Sequence, residues 1–254
     1  MPRVPQLPLM LLVIPAIGML FLNIAGHEAA IAQESAPQFE VVIEGSSVIY
    51  KGEITPMANA YLFSLIDNAE QPLKTLEITS VGGNVDAALE LANWVFNTRL
   101  DIYIPSFCGS SCANYVFPAA QRKLLGETAM LAWHGGATQK NVIEVPECEE
   151  DGWYKEYFDC DADAYMKQMS KMIAGLKVKE AAFFEKIGVD QQITVIGQKP
   201  EYVCGGDEVY NGWFYSLEDM ERLGIKNVEI VGAEWAPEPP SADIKVCRVS
   251  LSDK

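Results

Sequence analysis

The feature that most limits the fold of this chain is an alternation of strand-like and helix-like segments upstream of residue 105. The segments are, in chain order, strands at 39–43 and 47–51, a helix from 56, a strand at 73–79, a helix at 85–97 and a strand at 100–104. Thr55 and Pro56 are typical of the start of the first helix, as N-cap and first helical residue. Strands that alternate with helices at this spacing predict a layered α/β fold. We find no second domain with a core of its own, so a single domain at 33–232 is expected.

The net charge limits the kinds of molecule that this domain can bind. The chain has 254 residues and a formal net charge of −16, from 35 acidic and 19 basic residues. An excess of negative charge repels phosphate, which argues against nucleic acid and against an anionic membrane surface as partners.

The first 32 residues have the pattern of a secretory signal peptide. Arg3 precedes an apolar run from about Leu9 to Ala25, and Ala30-Ile31-Ala32 is a small-x-small cleavage site. The alternative is an uncleaved anchor, because the apolar run is long enough to span a bilayer. Cleavage predicts a periplasmic or secreted protein, and the anchor predicts a membrane-attached one. With His27 removed, His134 would be the remaining histidine.

All six cysteines follow the predicted signal, and an even number of them in an oxidising compartment favours disulfides. Cys148 with Cys160 would close a short acidic loop, Cys204 with Cys247 would tie down the C-terminal segment, and Cys108 with Cys112 would brace a Ser-Ser turn. Other pairings remain open. No CxxC spacing occurs, so we predict no metal site.

The candidate chemistry lies between Cys108 and Gly136. Ser110 and Ser111 stand where a strand gives way to a helix, so their hydroxyls are candidate nucleophiles and the N–H groups that follow could bind an oxyanion. The structural alternative is an ordinary helix N-cap. His134 ends an apolar run and precedes two glycines. Gly82-Gly83 could bring bare backbone close to a ligand, or form a plain turn.

The order of these motifs resembles that of the ClpP-like serine peptidases in the ClpP/crotonase superfamily, in particular exported bacterial members with a C-x-S-x-C-like nucleophile turn. The resemblance covers about 48–136 and 212–231. The matching stretches are VIYKGEIT, LEITSVGGNVDAALELA, SSCANYVFPAA, AMLAWHGG and FYSLEDMERLGIKNVEIV. The resemblance implies a layered β-sheet with flanking helices and an exported serine-type hydrolase, most readily a peptidase acting on peptides or proteins. It implies no cofactor.

Carried over by alignment, the resemblance puts the nucleophile on Ser111, with Ser110 as the runner-up. His134 falls on the general base. The oxyanion donors fall on the backbone N–H of Cys112 and of Gly82 or Gly83, without a choice between the two glycines.

This chain departs from the family at the third catalytic residue. Gly212 occupies the position where an Asp is usual, and Asn211 is the substitute we name, with Asp207 and Glu208 a few residues earlier. An Asn can orient an imidazole, and a dyad can act alone. A second hypothesis is therefore a catalytically degenerate module for binding or assembly. A third makes Lys123 the base.

The resemblance also implies a homo-oligomer. A helix predicted at 164–187 takes the place of the family's subunit-contacting handle, and its Met-bearing face could bury against another copy or serve as ordinary core. We predict that 137–205 holds a divergent insertion and this helix, with 141–163 irregular, and that 233–254 is a Pro-rich tail.

Overall fold

The structure, a computed structural model, describes residues 39–140, 143–150, 152–202 and 210–251. The predicted signal peptide lies outside these ranges, as do Cys204, Asp207 and Glu208. No helix within the described ranges is long and apolar enough to cross a membrane.

A six-stranded sheet forms the central layer, with strand order β1-β2-β3-β4-β6-β9. Its strands are β1 (Phe39–Glu44), β2 (Ser47–Gly52), β3 (Thr75–Thr79), β4 (Asp101–Ile104), β6 (Lys123–Gly126) and β9 (Val228–Val231). The β1–β2 hairpin is antiparallel, and each later neighbour pairs in parallel. Alternate side chains of β2, β3 and β4 are buried, as expected for strands with one face against the core.

Two short pairs of parallel strands lie beside the central sheet and position the residues of the candidate site. One joins β5 (Phe107–Gly109) to β7 (Met130–Ala132), and the other joins β8 (Gly212–Tyr215) to β10 (Val246–Val249). A bridge from Ser80 to Cys108 connects β5 to the end of β3, and an antiparallel bridge joins Trp133 to Trp213. Strand β10 falls in the segment that we expected to be a Pro-rich tail. Its four residues pair with β8, a long-range contact that no local signal predicts.

The helices flank the sheet, so the predicted layered α/β fold is confirmed. They are α1 (Pro56–Ile66), α2 (Val85–Thr98), a π-helix (Cys112–Val116) continued by α3 (Phe117–Ala119), α4 (Trp153–Phe158), α5 (Ala162–Ile187) and α6 (Leu217–Arg222). Thr55 caps α1 by accepting a hydrogen bond from the N–H of Ala58, and Asn84 caps α2 by accepting one from Ala87. Two 3-10 helices follow α5, at Gln191–Thr194 and Ile196–Gln198.

Helix α5 protrudes over much of its length. Its C-terminal part is anchored in the core by Phe183 and Phe184, whereas most side chains up to Lys179 are exposed. Near its start, Tyr165 packs in an aromatic cluster with α4. Helix α4 forms inside the stretch that we expected to be irregular.

Two of the predicted disulfides are confirmed, Cys108–Cys112 and Cys148–Cys160. The Cys148–Cys160 disulfide closes the acidic loop, which contains α4. Cys247 is also disulfide-bonded, and the position of its predicted partner Cys204 lies outside the described residues.

Candidate active site

Ser110 occupies the sharp turn between β5 and the π-helix. Its φ is +54°, in the left-handed region that residues with a side chain rarely adopt. Two backbone hydrogen bonds hold it there, from the Ser110 N–H to the carbonyl of Ala132 at 2.8 Å and from the Asn114 N–H to the carbonyl of Ser110 at 2.8 Å. Backbone strain of this kind costs about 1–3 kcal/mol and persists where the surrounding structure enforces it.

His134 follows β7, the strand that pairs in parallel with β5. Its Nε2 lies 2.6 Å from the Oγ of Ser110. This is the separation at which an imidazole can take the proton of a serine hydroxyl. Two adjacent parallel strands thus bring a hydroxyl and an imidazole to the same edge.

Ser111, the residue that the alignment favoured, points elsewhere. Its Oγ donates a hydrogen bond to the carbonyl of Gly83 at 3.1 Å, and only 2% of the residue is exposed. Because Ser110 sits in the left-handed turn, the two consecutive side chains leave the backbone in different directions. The structure therefore brings Ser110, our runner-up, to His134. One sequence signal could have indicated this: Ser110 is the central residue of the spacing Cys108-x-Ser-x-Cys112.

The disulfide between Cys108 and Cys112 spans the serine turn, and both cysteines are fully buried. It joins the strand before Ser110 to the first residue of the π-helix after it. The expected oxyanion role of the Cys112 N–H assumed that Ser111 was the nucleophile. For a nucleophile at Ser110, the N–H in the corresponding position would be that of Ser111.

Gly82 and Gly83 pack directly against the serine turn. A Cβ on Gly82, whose φ is +96°, would lie 2.7 Å from the Cβ of Ser110 and 2.9 Å from the backbone nitrogen of Ser111. The N–H of Gly82 already donates to the Oγ of Ser80 at 3.0 Å. The N–H of Gly83 makes no hydrogen bond with any residue that the structure describes, so of the two it is the one available to a ligand.

Buried polar groups hold the segment after His134 from two sides. Asn114, on the π-helix that follows Ser110, donates through Nδ2 to the carbonyl of Gly135 at 2.8 Å. Glu180 of α5 accepts the N–H of Ala137 at 2.7 Å and the hydroxyl of Tyr115 at 3.3 Å. Sequence reasoning missed both Asn114 and Glu180, since neither type of residue is distinctive on a helix.

Glu180 is a fully buried carboxylate with three donors, the third being Nε2 of Gln191 at 3.1 Å. A buried charge of this kind is tolerated when hydrogen bonds satisfy its oxygens. Burial raises the pKa of the Tyr115 hydroxyl, and the negative charge of Glu180 raises it further. Tyr115 therefore stays protonated and serves as a hydrogen-bond donor.

The expected orienting acid is absent from the position beside His134, for a steric reason. A Cβ on Gly212 would lie 2.3 Å from the carbonyl oxygen of Trp133, so the Trp133–Trp213 bridge leaves no space for a side chain. Asn211 lines a cavity with His134, but its Oδ1 accepts the N–H of Lys245 at 2.8 Å. Within the described ranges, the Nδ1 of His134 has no hydrogen-bond partner.

The Lys123 hypothesis is wrong. The ammonium of Lys123 is buried and donates to the carbonyls of Ala120 and Lys226, at 2.8 Å and 3.1 Å. It has no contact with either serine of the turn.

Two cavities meet at the Ser110–His134 pair, which lines both of them. One, of about 180 Å³, is bounded by Val85, Tyr115, Ile173 and Leu176; the other, of about 270 Å³, is bounded by Val81, Phe107, Trp133 and Val246. No carboxylate lines either cavity among the described residues, and none of the described His, Cys, Asp and Glu side chains are grouped to hold a metal ion.

No family model and no curated protein matches the sequence. Solved structures that match include three enoyl-CoA hydratases, each with a TM-score of 0.30. The enzyme from Thermoplasma volcanium is 9% identical, and the match covers 38% of this chain and 51% of that one. Those from Mycobacterium marinum and Mycobacterium ulcerans are 11% and 10% identical, and each match covers 37% of this chain and 54% of the other. The chain thus spans about half the length of these structures. At these identities and TM-scores the similarity carries no argument about the family or the reaction of this chain.

Proposed function

We propose that the protein is a serine-type hydrolase whose nucleophile is Ser110 and whose general base is His134. The observation that carries the proposal is the 2.6 Å separation of Ser110 Oγ and His134 Nε2. The left-handed backbone at Ser110 supports it, because a strained turn that presents a serine hydroxyl is a recurring design of nucleophilic serines. An ordinary N-cap serine has no need of a positive φ.

In the proposed reaction, Ser110 Oγ attacks the substrate carbonyl while His134 Nε2 takes the hydroxyl proton. The His134 imidazolium then donates that proton to the leaving group, and an acyl group remains on Ser110. Water, deprotonated by His134, releases the acyl group as an acid and restores the serine. We assign the developing oxyanion to the backbone N–H groups of Ser111 and Gly83, which adjoin the nucleophile and have no other acceptor in the described part of the chain.

A peptide is the substrate that we favour. The reacting pair stands between two apolar cavities, so a substrate chain can place a side chain on each side of the scissile bond. The sequence resemblance to ClpP-like peptidases supports the same choice. The two disulfides support an oxidising location, periplasmic or secreted. An anchored form would require that the N-terminal segment be retained.

A degenerate binding or assembly module remains the second candidate. Two observations favour it. The Nδ1 of His134 has no hydrogen-bond partner among the described residues, and the Oδ1 of Asn211 already accepts the N–H of Lys245. A serine protease with a wrongly oriented histidine loses about 10⁴ in rate. On this alternative the Ser110–His134 geometry would be present without useful turnover.

Fluorophosphonate labelling of the exported protein tests the proposal. We expect covalent labelling in the parent protein, none in Ser110→Ala, and labelling retained in Ser111→Ala, which is the matched control one residue away. Labelling that persists in Ser110→Ala would refute the assignment of the nucleophile. A folded parent protein that takes up no label would favour the degenerate module.

Self-association is a separate proposal. Exposed apolar side chains on α5, among them Met166 at 37% and Val178 at 71%, support burial against a second copy. Light scattering of the exported protein should then give a mass that is a multiple of the chain's, and a monomeric mass at working concentration would reject it.

A further inference from the structure

A groove continues from the Ser110–His134 site along the protruding part of α5. It has a volume of about 990 Å³ and runs between α5 and the start of α2. Val85, Ile173 and Leu176 line both this groove and the smaller cavity that contains Ser110 and His134. The two spaces therefore adjoin at these three residues, so the groove offers a path along α5 for a chain bound at Ser110.

The groove combines an apolar floor with a basic rim. Ile173 and Leu176 are half-buried and form the floor, while Lys167, Lys171 and Lys179 line the edge; Lys167 and Lys171 are about one turn of α5 apart, and Lys179 is about two turns further on. Residues spaced by three or four lie on one face of a helix, so Lys167 and Lys171 stand side by side on that edge. The rim is unusual in a chain whose net charge is −16.

Two of the three rim lysines are available to a ligand. Lys179 forms an ion pair with Asp86, the acidic residue that also lines the groove, at 2.6 Å. Lys167 and Lys171 are exposed and form no ion pair with any described residue. The groove therefore keeps an excess of positive charge beyond the Lys179–Asp86 pair.

We propose that the groove binds the flank of the substrate chain and selects glutamate and aspartate there. This deepens the proposed function, on which it rests, by naming the substrate class: peptides with an apolar residue at the cleaved bond and acidic residues to one side. A helix rises about 1.5 Å per residue, so Lys167 lies roughly 9 Å along α5 from Ile173. An extended peptide covers that length in about three residues. The acidic residues would accordingly stand two to five residues, roughly, from the scissile bond.

Binding to the inactive full-length protein tests the inference without requiring turnover. In a Ser110→Ala background, two fluorescent peptides share one apolar centre and differ in their flanks, which carry glutamates in one peptide and glutamines in the other. Each exposed charge pair contributes modestly, so we expect the glutamate peptide to bind about three- to tenfold more tightly at low salt, with the preference declining as salt is added. Adding Lys167→Gln and Lys171→Gln should remove the preference, while Lys177→Gln, on the same helix but outside the groove, should retain it.

Equal binding of the two peptides would overturn the inference, as would a preference that survives the double lysine change. If the double change alters the oligomeric state by light scattering and leaves peptide binding unchanged, the groove is instead an interface between copies. Fluorophosphonate labelling of the parent protein separates this inference from the proposed function. Labelling without a glutamate preference rejects the groove alone, whereas a preference without labelling rejects the hydrolase alone.

Discussion

The Nδ2 of Asn114 donates to the carbonyl of Gly135 at 2.8 Å, and this single bond joins the π-helix after Ser110 to the residue after His134. Asn114 is buried, and its N–H also binds the carbonyl of Ser110. The residue therefore contacts both halves of the candidate site without entering the reaction. We regard it as a positioning residue.

Asn114→Ala should slow the labelling of Ser110 more than it destabilises the fold. Loss of the bond frees the carbonyl of Gly135, and a shift of about 1 Å at a reacting group can cost roughly 10²-fold in rate. We expect a stability loss of about 1–3 kcal/mol. Asn59→Ala is the control, because Asn59 is also buried and donates to a backbone carbonyl, that of Ala87. It should destabilise comparably and label at the parent rate. Equal labelling rates in both variants would contradict the positioning role.

Gly82→Ala should abolish labelling in a protein that still folds. The added Cβ would meet Ser110 and Ser111 at the site itself, and the φ of +96° is unfavourable for alanine. Gly175→Ala on α5 is the matched control, since nothing lies within 4 Å of a Cβ there. That change should stabilise the protein by about 0.5–1 kcal/mol, the usual helix preference of alanine over glycine. Circular dichroism shows whether each variant is folded, and labelling shows whether its site is intact. Full labelling of Gly82→Ala would contradict the predicted close approach of residue 82 to the serine turn.

Glu180→Gln should lower the free energy of unfolding by about 1–3 kcal/mol, because the amide must turn one N–H toward a group that is itself a donor. Both oxygens of Glu180 accept hydrogen bonds, from Tyr115, Ala137 and Gln191. Glu185→Gln, at an exposed position on the same helix, should change stability by less than about 0.5 kcal/mol. Urea unfolding measures both. Similar values for the two variants would show that the buried network contributes little.

Lys123 makes stability depend on pH in the alkaline range. Burial lowers the pKa of its ammonium from 10.5 to about 8, and outweighs the two carbonyl contacts that favour the charge. Between those values the unfolded chain binds more protons than the folded one, so the free energy of unfolding rises with pH. Below about pH 8 the Lys123 ammonium is charged in both the folded and the unfolded protein, so the cost of burying it lowers the free energy of unfolding in full.

Relative to Lys123→Met, the parent protein should therefore gain about 2 kcal/mol between about pH 7 and about pH 9.5. Urea unfolding at a series of pH values compares the two proteins and cancels the titration of their shared groups. A difference that stays constant with pH would mean that Lys123 keeps its ordinary pKa in the folded protein.

The sequence by itself determined the layered fold and the parts of the site. The succession of strands and helices upstream of residue 105, the cap at Thr55, and the short spacings of Cys108–Cys112 and Cys148–Cys160 are local signals, and the structure follows them. Local signals also placed His134 and the serine pair at the ends of strands. The spacing Cys108-x-Ser-x-Cys112 hinted at Ser110, but only the structure showed that Ser110 faces His134, because that depends on the φ of one residue and on the pairing of β5 with β7.

Only the tertiary structure decided the remaining features of the site. The sequence already showed a glycine at residue 212, but the reason that no side chain fits there is the Trp133–Trp213 bridge, whose partners are far apart in the chain. The buried position of Glu180 depends on where α5 docks, and the pairing of β10 with β8 depends on a contact between distant segments. Such contacts are set by packing between elements, which no periodicity within one element encodes. For the same reason Ser110 and His134, 24 residues apart, meet at 2.6 Å only when two parallel strands align their ends.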